Sequence, residues 1–488
     1  MSRDASLAAL RERHGPNYRW LLLVSLMVGS MASIMSSTVV NVAIPGISHH
    51  FGIGQERAQW VSSGFMVAMT ASMLTTPWLL ARFGYRTVYG ATMVLLMAGG
   101  IVGGLADNYS LVLAARVAEG LAAGIVQPIP AIVILRGFAP QEQGRASGIF
   151  GMGAVLAPAL GPSIGGVLVD LFGWRSIFFM VVPFCLLSLA LAWKFVPDSA
   201  PGGAVAERTG SLDWLGLVLG SIGTLCLLNG LVEVRNEGAQ AWLLLGGAVL
   251  ALAAFIAWQR RRLATGREPL MNLRLFGYRS FSMGSIVAFI YGTALFGSTY
   301  LLPVYMQVGL GLSASYVGSI LLPAGIVLAV TIPLVGRLAD RQPTHVLVSI
   351  GLALLALSFA LMVTVDSGRA IWLLVAWAIL GRIGLGFILP SLNLGSMRSL
   401  DRGLISYGAS AINFVRMLGG ACGVSLCGIV LEWRVAAHGD SLVNAATSPG
   451  RVAAFHEVFL MLAALCGAAL IAAWQLRERP QSEADARS

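Results

Sequence analysis

Fourteen apolar runs, each long enough to cross a bilayer as a helix, leave this sequence very few folds. A hydrocarbon core about 30 Å thick takes roughly 20 apolar residues at 1.5 Å per residue. Such runs lie near 18–44, 58–80, 87–106, 110–136, 143–170, 174–196, 212–233, 240–259, 280–309, 315–338, 344–365, 370–398, 404–433 and 455–476. No water reaches the backbone inside hydrocarbon, so runs of this length must satisfy their own hydrogen bonds as helices. The expectation is an all-α membrane protein of fourteen spans.

Composition agrees. Of 488 residues, 57% are hydrophobic and 11% are Asp, Glu, Lys or Arg, against about 25% charged in a soluble domain. The first run is too long for a signal peptide and has no small-residue cleavage site after it. Cys185, Cys226, Cys422, Cys427 and Cys466 all fall inside apolar runs and read as packing residues, not as a disulfide framework or a metal site. The net charge of +10 forms no aromatic-interleaved patch, so nucleic acid is not an expected partner.

The basic residues set an orientation instead. Of 32 Lys and Arg, three (Arg116, Arg382, Arg416) lie within runs, and six (Arg57, Arg175, Arg235, Arg369, Arg434, Arg451) lie on the face away from the termini. The other 23 share the face of the two termini. A bias close to fourfold places that face in the cytoplasm of a bacterial inner membrane. The chain then divides into a cytoplasmic tail (1–17), a six-helix bundle (18–196), a linker (197–211), two additional helices (212–259), a second linker (260–279), a second six-helix bundle (280–476) and a cytoplasmic tail (477–488).

Echoes between the two bundles indicate a duplicated unit. Gly124-x-x-x-Pro128 in the fourth run matches Gly386-x-x-x-Pro390 in the twelfth. Gly161-x-x-x-Gly165 in the fifth matches Gly419-x-x-x-Gly423 in the thirteenth. Trp78-Leu-Leu-Ala-Arg82-Phe-Gly-Tyr-Arg86, after the second run, matches Gly336-Arg-Leu-Ala-Asp340-Arg341, after the tenth.

Further motifs carry a family resemblance: Thr38-Val-Val-Asn41-Val-Ala-Ile-Pro45, Gln59-Trp60-Val61, Arg116-Val-Ala-Glu119-Gly120, Gly161-Pro162-Ser-Ile-Gly165-Gly166, Trp174-Arg175-Ser-Ile-Phe-Phe and Asn413-x-x-Arg416-x-x-Gly419-Gly420. Together they resemble the major facilitator superfamily, and within it the fourteen-span drug/proton antiporter branch of the EmrB/QacA type. The resemblance implies two pseudo-symmetric six-helix bundles around a central cavity, plus two extra helices. It implies proton-driven export of lipophilic small molecules by alternating access, with no cofactor and with membrane lipids around the chain. A periplasmic adaptor protein is the one protein partner it implies, and the short loop before the last span offers that adaptor little surface.

Three positions depart from the branch. Ser36 stands where the first span usually has Asp, Glu119 stands where the Arg-x-x-Gln-Gly motif has Gln, and Ala81 replaces the loop Asp that the second copy keeps as Asp340. Ser36 and Glu119 lie at matching depth, about 12–14 Å below the outer surface. Glu119 is therefore expected to have taken over proton coupling, with Arg116 on the same helical face three residues earlier.

The remaining candidates follow from charge and backbone chemistry. Arg382, Arg416, Asn413, Asn41 and Ser36 are expected to line the substrate cavity, because an intramembrane arginine needs a cavity or a partner. Pro158, Gly161, Pro162 and Gly165 read as a bent, closely packed hinge helix. As charges Arg82, Arg86, Asp340 and Arg341 are ordinary solvated loop residues at the cytoplasmic face; the resemblance implies that they cap helix ends or bridge the halves and so lock one access state. Tyr291, Tyr300, Tyr305, Trp372 and Trp377 read as packing or interfacial aromatics rather than a substrate cage.

No phosphate-binding Gly-x-x-x-x-Gly-Lys-Ser/Thr loop is present, and no His/Asp/Glu cluster lies in the runs, so a membrane enzyme is disfavoured. With three intramembrane arginines against one deep carboxylate, an anionic amphiphile is the alternative substrate.

Overall fold

The computed structural model describes residues 7–199, 210–234, 238–365, 371–442 and 448–476. Linker residues 200–209, the loop arginines Arg235 and Arg369 and the tail 477–488 lie outside them, as does the side chain of Pro162. The described residues are helical throughout, with no strand. A short entry helix, α1 (Leu7–His14), precedes α2 (Tyr18–Phe51). Then come α3 (Gln55–Ala58), α4 (Trp60–Met73), α5 (Thr76–Phe83), α6 (Tyr85–Gly104), α7 (Tyr109–Val126), α8 (Ile129–Gly137), α9 (Gln143–Phe172) and α10 (Ser176–Phe195). The middle pair is α11 (Trp214–Glu233) and α12 (Ala239–Ala264). The second bundle is α13 (Arg279–Val304), α14 (Ala314–Ala339), α15 (Thr344–Met362), α16 (Ile371–Met397), α17 (Ile405–Ala437) and α18 (Pro449–Trp474).

Twelve of these segments are long and apolar enough to cross a membrane, or thirteen when the pair α4 and α5 counts as one. The expected fourteen are thus not all recovered as spans among the described residues. The run at 143–170 does form one 30-residue helix, α9, which is not among the thirteen. The run at 58–80 is broken, with a bend of 58° between α4 and α5. Pro77 has no N–H to return to Met73, and Thr75 Oγ1 instead bonds the Ser72 carbonyl at 2.7 Å, which stabilises the break. α2 runs seven residues past its expected end, through Pro45, until Gly52 (φ 62) terminates it in the left-handed conformation.

The two bundles repeat the same packing. α9 lies on α2, and a Cβ on Gly165 would come 2.2 Å from the Val39 side chain. At the matching place α17 lies on α13, where a Cβ on Gly419 would come 2.1 Å from the Phe289 carbonyl. Each GxxxG stretch thus lets the fifth helix of its half meet the first at backbone distance.

α11 and α12 form a glycine-zipped hairpin outside the bundles. Only 28% and 22% of their most apolar stretches are buried, against 61% for α2, so they face lipid. Asp213 closes the hairpin base, capping α11 through Gly216 N (3.0 Å) and accepting from Trp258 Nε1 and Gln259 Nε2 (2.8 Å each). α11 touches α4 of one bundle and α17 of the other.

Candidate functional site

Four helices of the first bundle build a buried charge cluster centred on α7. Arg116 and Glu119, three residues apart, share a helical face, and both are buried, with Glu119 fully so. Arg116 Nη1 lies 2.6 Å from Glu119 Oε2 and donates to Ser36 Oγ of α2 at 2.9 Å. The Ser36 hydroxyl in turn reaches Glu119 Oε2 at 3.3 Å. From α4, the Val61 carbonyl accepts from Arg116 Nε at 3.1 Å, and the guanidinium sits 4.2 Å from the Phe65 ring centroid. The fourth wall is α6: a Cβ on Gly99 would come 2.6 Å from Glu119 Cγ, so a glycine there makes room for the acid. Two buried polar atoms of the cluster have no hydrogen-bond partner, Glu119 Oε1 and Arg116 Nη2.

The second bundle holds charge of another kind. Arg382 on α16 and Arg416 on α17 are partly buried. Arg416 donates to Asn413, which is itself tied to the Ala409 carbonyl at 2.8 Å. Arg382 makes no hydrogen bond or ion pair among the described residues. Tyr291 of α13, expected to be a packing aromatic, is buried within electrostatic reach of both guanidinium groups. Nothing in the local sequence of α13 marks that tyrosine.

Where the bundles meet, Asp340 at the end of α14 accepts from two backbone N–H groups at the start of α9, Gly144 N at 2.5 Å and Arg145 N at 2.9 Å. Half-burial pushes its carboxyl above the usual carboxylate range, against the lowering by those two donors. The helices touch directly here, since a Cβ on Gly144 would sit 2.3 Å from the Gly336 carbonyl. Two more bonds cross the same seam, Arg398 Nη2 to the Pro140 carbonyl (3.2 Å) and Arg136 Nη2 to the Arg402 carbonyl (2.7 Å). The face carrying these contacts is that of the first and last helices. Tyr18 bonds Phe195 at the start of α2, Arg19 pairs with Glu142, and Trp474 packs on His345.

Other expected residues stay apart. Arg82, in the last turn of α5, and Arg341, next to Asp340, are exposed and make no ion pair among the described residues. Arg86 stacks over Trp193 at 5.1 Å within its own bundle. Asn41 is exposed on α2. α9 passes Pro158 as continuous helix, with Gly161 close to Thr38.

Comparison with known proteins adds four findings. The profile described as Major Facilitator Superfamily matches residues 26–424. The uncharacterized MFS-type transporter Rv1250 of Mycobacterium tuberculosis is 31% identical over 450 residues, covering 90% of this chain and 76% of that protein. The multidrug export protein EmrB of Haemophilus influenzae is 28% identical over 431 residues, covering 87% and 82%. Among solved structures, the proton:xylose symporter XylE superposes with a TM-score of 0.65 over 94% of this chain and 95% of that one, at 13% identity, a likeness of fold.

Proposed function

We propose that this chain, which belongs to the major facilitator superfamily, is a proton-coupled exporter of lipophilic small molecules of the EmrB/QacA type. It works by alternating access in a bacterial inner membrane, crossing it fourteen times with both termini in the cytoplasm. The observation that carries the reading is the buried Ser36–Arg116–Glu119 cluster with its unpartnered carboxylate oxygen. A purely structural ion pair in hydrocarbon would gain from satisfying both oxygens, because an orphaned buried acceptor costs about 1–3 kcal/mol. Oε1 is an atom on which a proton can reside.

Protonation there neutralises Glu119, weakens the bond from Arg116 and frees the Ser36 contact that ties α7 to α2. Breaking a buried pair costs about 3–5 kcal/mol. That approaches the ~5.5 kcal/mol that carries a two-state equilibrium from 1:99 to 99:1. The only other titratable group within electrostatic reach of Glu119 among the described residues is the Cys185 thiol on α10. The drug-export reading draws further support from relatives named for multidrug export.

The test is Glu119→Gln in everted vesicles, scored by drug uptake driven by a proton gradient. Coupled transport should vanish, and adding Ser36→Asp, which returns a carboxylate to the contact position, should recover part of it. Undiminished transport by the single variant between about pH 6 and 8 would sink the reading.

A further inference from the structure

The arginines buried outright among the described residues, Arg116, Arg262 and Arg451, each have an acid. Arg116 has Glu119, and Arg451, which is 1% exposed, has Asp440 at 3.1 Å. Arg382 and Arg416 have none: the only ionisable group within electrostatic reach of either among the described residues is the Tyr291 phenol. Both lie deep. Counted from the termini-side ends of their helices at 1.5 Å per residue, Tyr291 and Arg416 are about 16–18 Å in, and Arg382 is about 22 Å in. Two uncompensated cations at mid-membrane cost several kcal/mol unless something answers them.

Both lie on helices that reach the seam between the bundles. Leu389, two helical turns after Arg382 and on the same face of α16, approaches Gly151 of α9. Arg382 points to the same seam about 10 Å further from the termini side, beyond the place where the bundles close. Met417, next to Arg416, packs on Phe65, Met69 and Met73 of the first bundle. Behind them the wall is tight, since a Cβ on Gly292 would lie 2.1 Å from the Arg416 carbonyl, which holds Tyr291 beside Arg416.

We infer that Arg382 and Arg416, with Tyr291 in reach of both, form an oxyanion subsite that takes the carboxylate of an amphiphilic organic anion. Two guanidinium forks and a phenolic hydroxyl supply donors to one acidic group, while the apolar walls of the seam take its hydrocarbon body. The inference rests on the export reading for the site's place in transport, yet binding at the subsite does not require proton coupling.

The experiment is equilibrium binding to the full chain in lipid nanodiscs, with 1-naphthoate and its neutral counterpart 1-naphthamide as probes. The parent should bind the carboxylate at least about tenfold more tightly than the amide. Arg382→Gln and Arg416→Gln should each lose that margin, whereas Arg382→Lys, which keeps the charge but not the fork, should keep part of it. Equal affinity for the two probes in the parent, or a margin that survives both Gln variants, overturns the inference. A Gln variant that does not fold leaves the parent's margin and Arg382→Lys to decide. Glu119→Gln separates the two claims, since it should abolish coupled export and leave the naphthoate margin intact.

Discussion

At the scale of single residues, the departures from the family pattern are where chemistry concentrates. Ser36 and Glu119 each look like a conservative oddity, and together they form one contact, a hydroxyl facing a carboxylate at 3.3 Å. Sequence depth alone predicted that they share a level, and packing brought them to bonding distance. The arginine beside them sets a stability test. Arg116→Leu leaves Glu119 buried beside no cation and should lower stability by about 3–5 kcal/mol. Arg116→Leu with Glu119→Gln removes both charges and should recover most of that loss. Thermal unfolding of the purified protein in detergent measures both, and a double variant no better than the single one would show that the cluster is not an ion pair. Glycine supplies the second test at this scale. With a Cβ on residue 99 placed 2.6 Å from Glu119 Cγ, Gly99→Val should impair coupling, whereas Gly90→Ala, where a Cβ meets nothing within 4 Å, should leave it unchanged.

At the scale of elements, the seam between α9 and α14 is where the two bundles touch on the termini side. Its acceptor was legible as the second loop copy's Asp340, but its donors were not. They are main-chain N–H groups at the start of α9, which no residue type announces. The expected companions Arg82 and Arg341 belong to the same motifs and take no part, because the helix ends carry them outward into solvent. Asp340→Ala should therefore open this side, with a cysteine at Ser147 on α9 reacting with a membrane-impermeant thiol reagent about tenfold faster. Arg82→Ala should not change that rate. The pH dependence has a definite sign. The Asp340 carboxyl sits above its usual range when the seam is closed and returns to that range once solvated. The closed arrangement thus binds its proton more readily, and acidification through that range favours closure. Asp340→Asn, which keeps one acceptor and cannot titrate, should stay closed and lose this response. Labelling rates measured between about pH 4 and 7 would decide it.

At the scale of the whole molecule, topology is open to direct test. An epitope inserted between Gly52 and Gly54 should be reached from outside intact cells, and a reporter fused after Ser488 only from the cytoplasm. A C-terminal reporter on the outside would overturn the fourteen-crossing arrangement. The class of the fold needed no coordinates, because twenty apolar residues in hydrocarbon have no stable alternative to a helix. The repeat was equally legible, because glycine spacings that let two helices touch recur wherever the same contact is built. Tertiary structure alone decided what surrounds Arg382 and Arg416. Arg116 has its carboxylate three residues on in the same helix, a pairing legible in the linear reading, whereas no acid stands one turn from Arg382 or Arg416. Whether a charge without such a neighbour is neutralised depends on side chains that other helices bring to the same depth and direction. That is a property of packing, and no spacing within α16 or α17 encodes it.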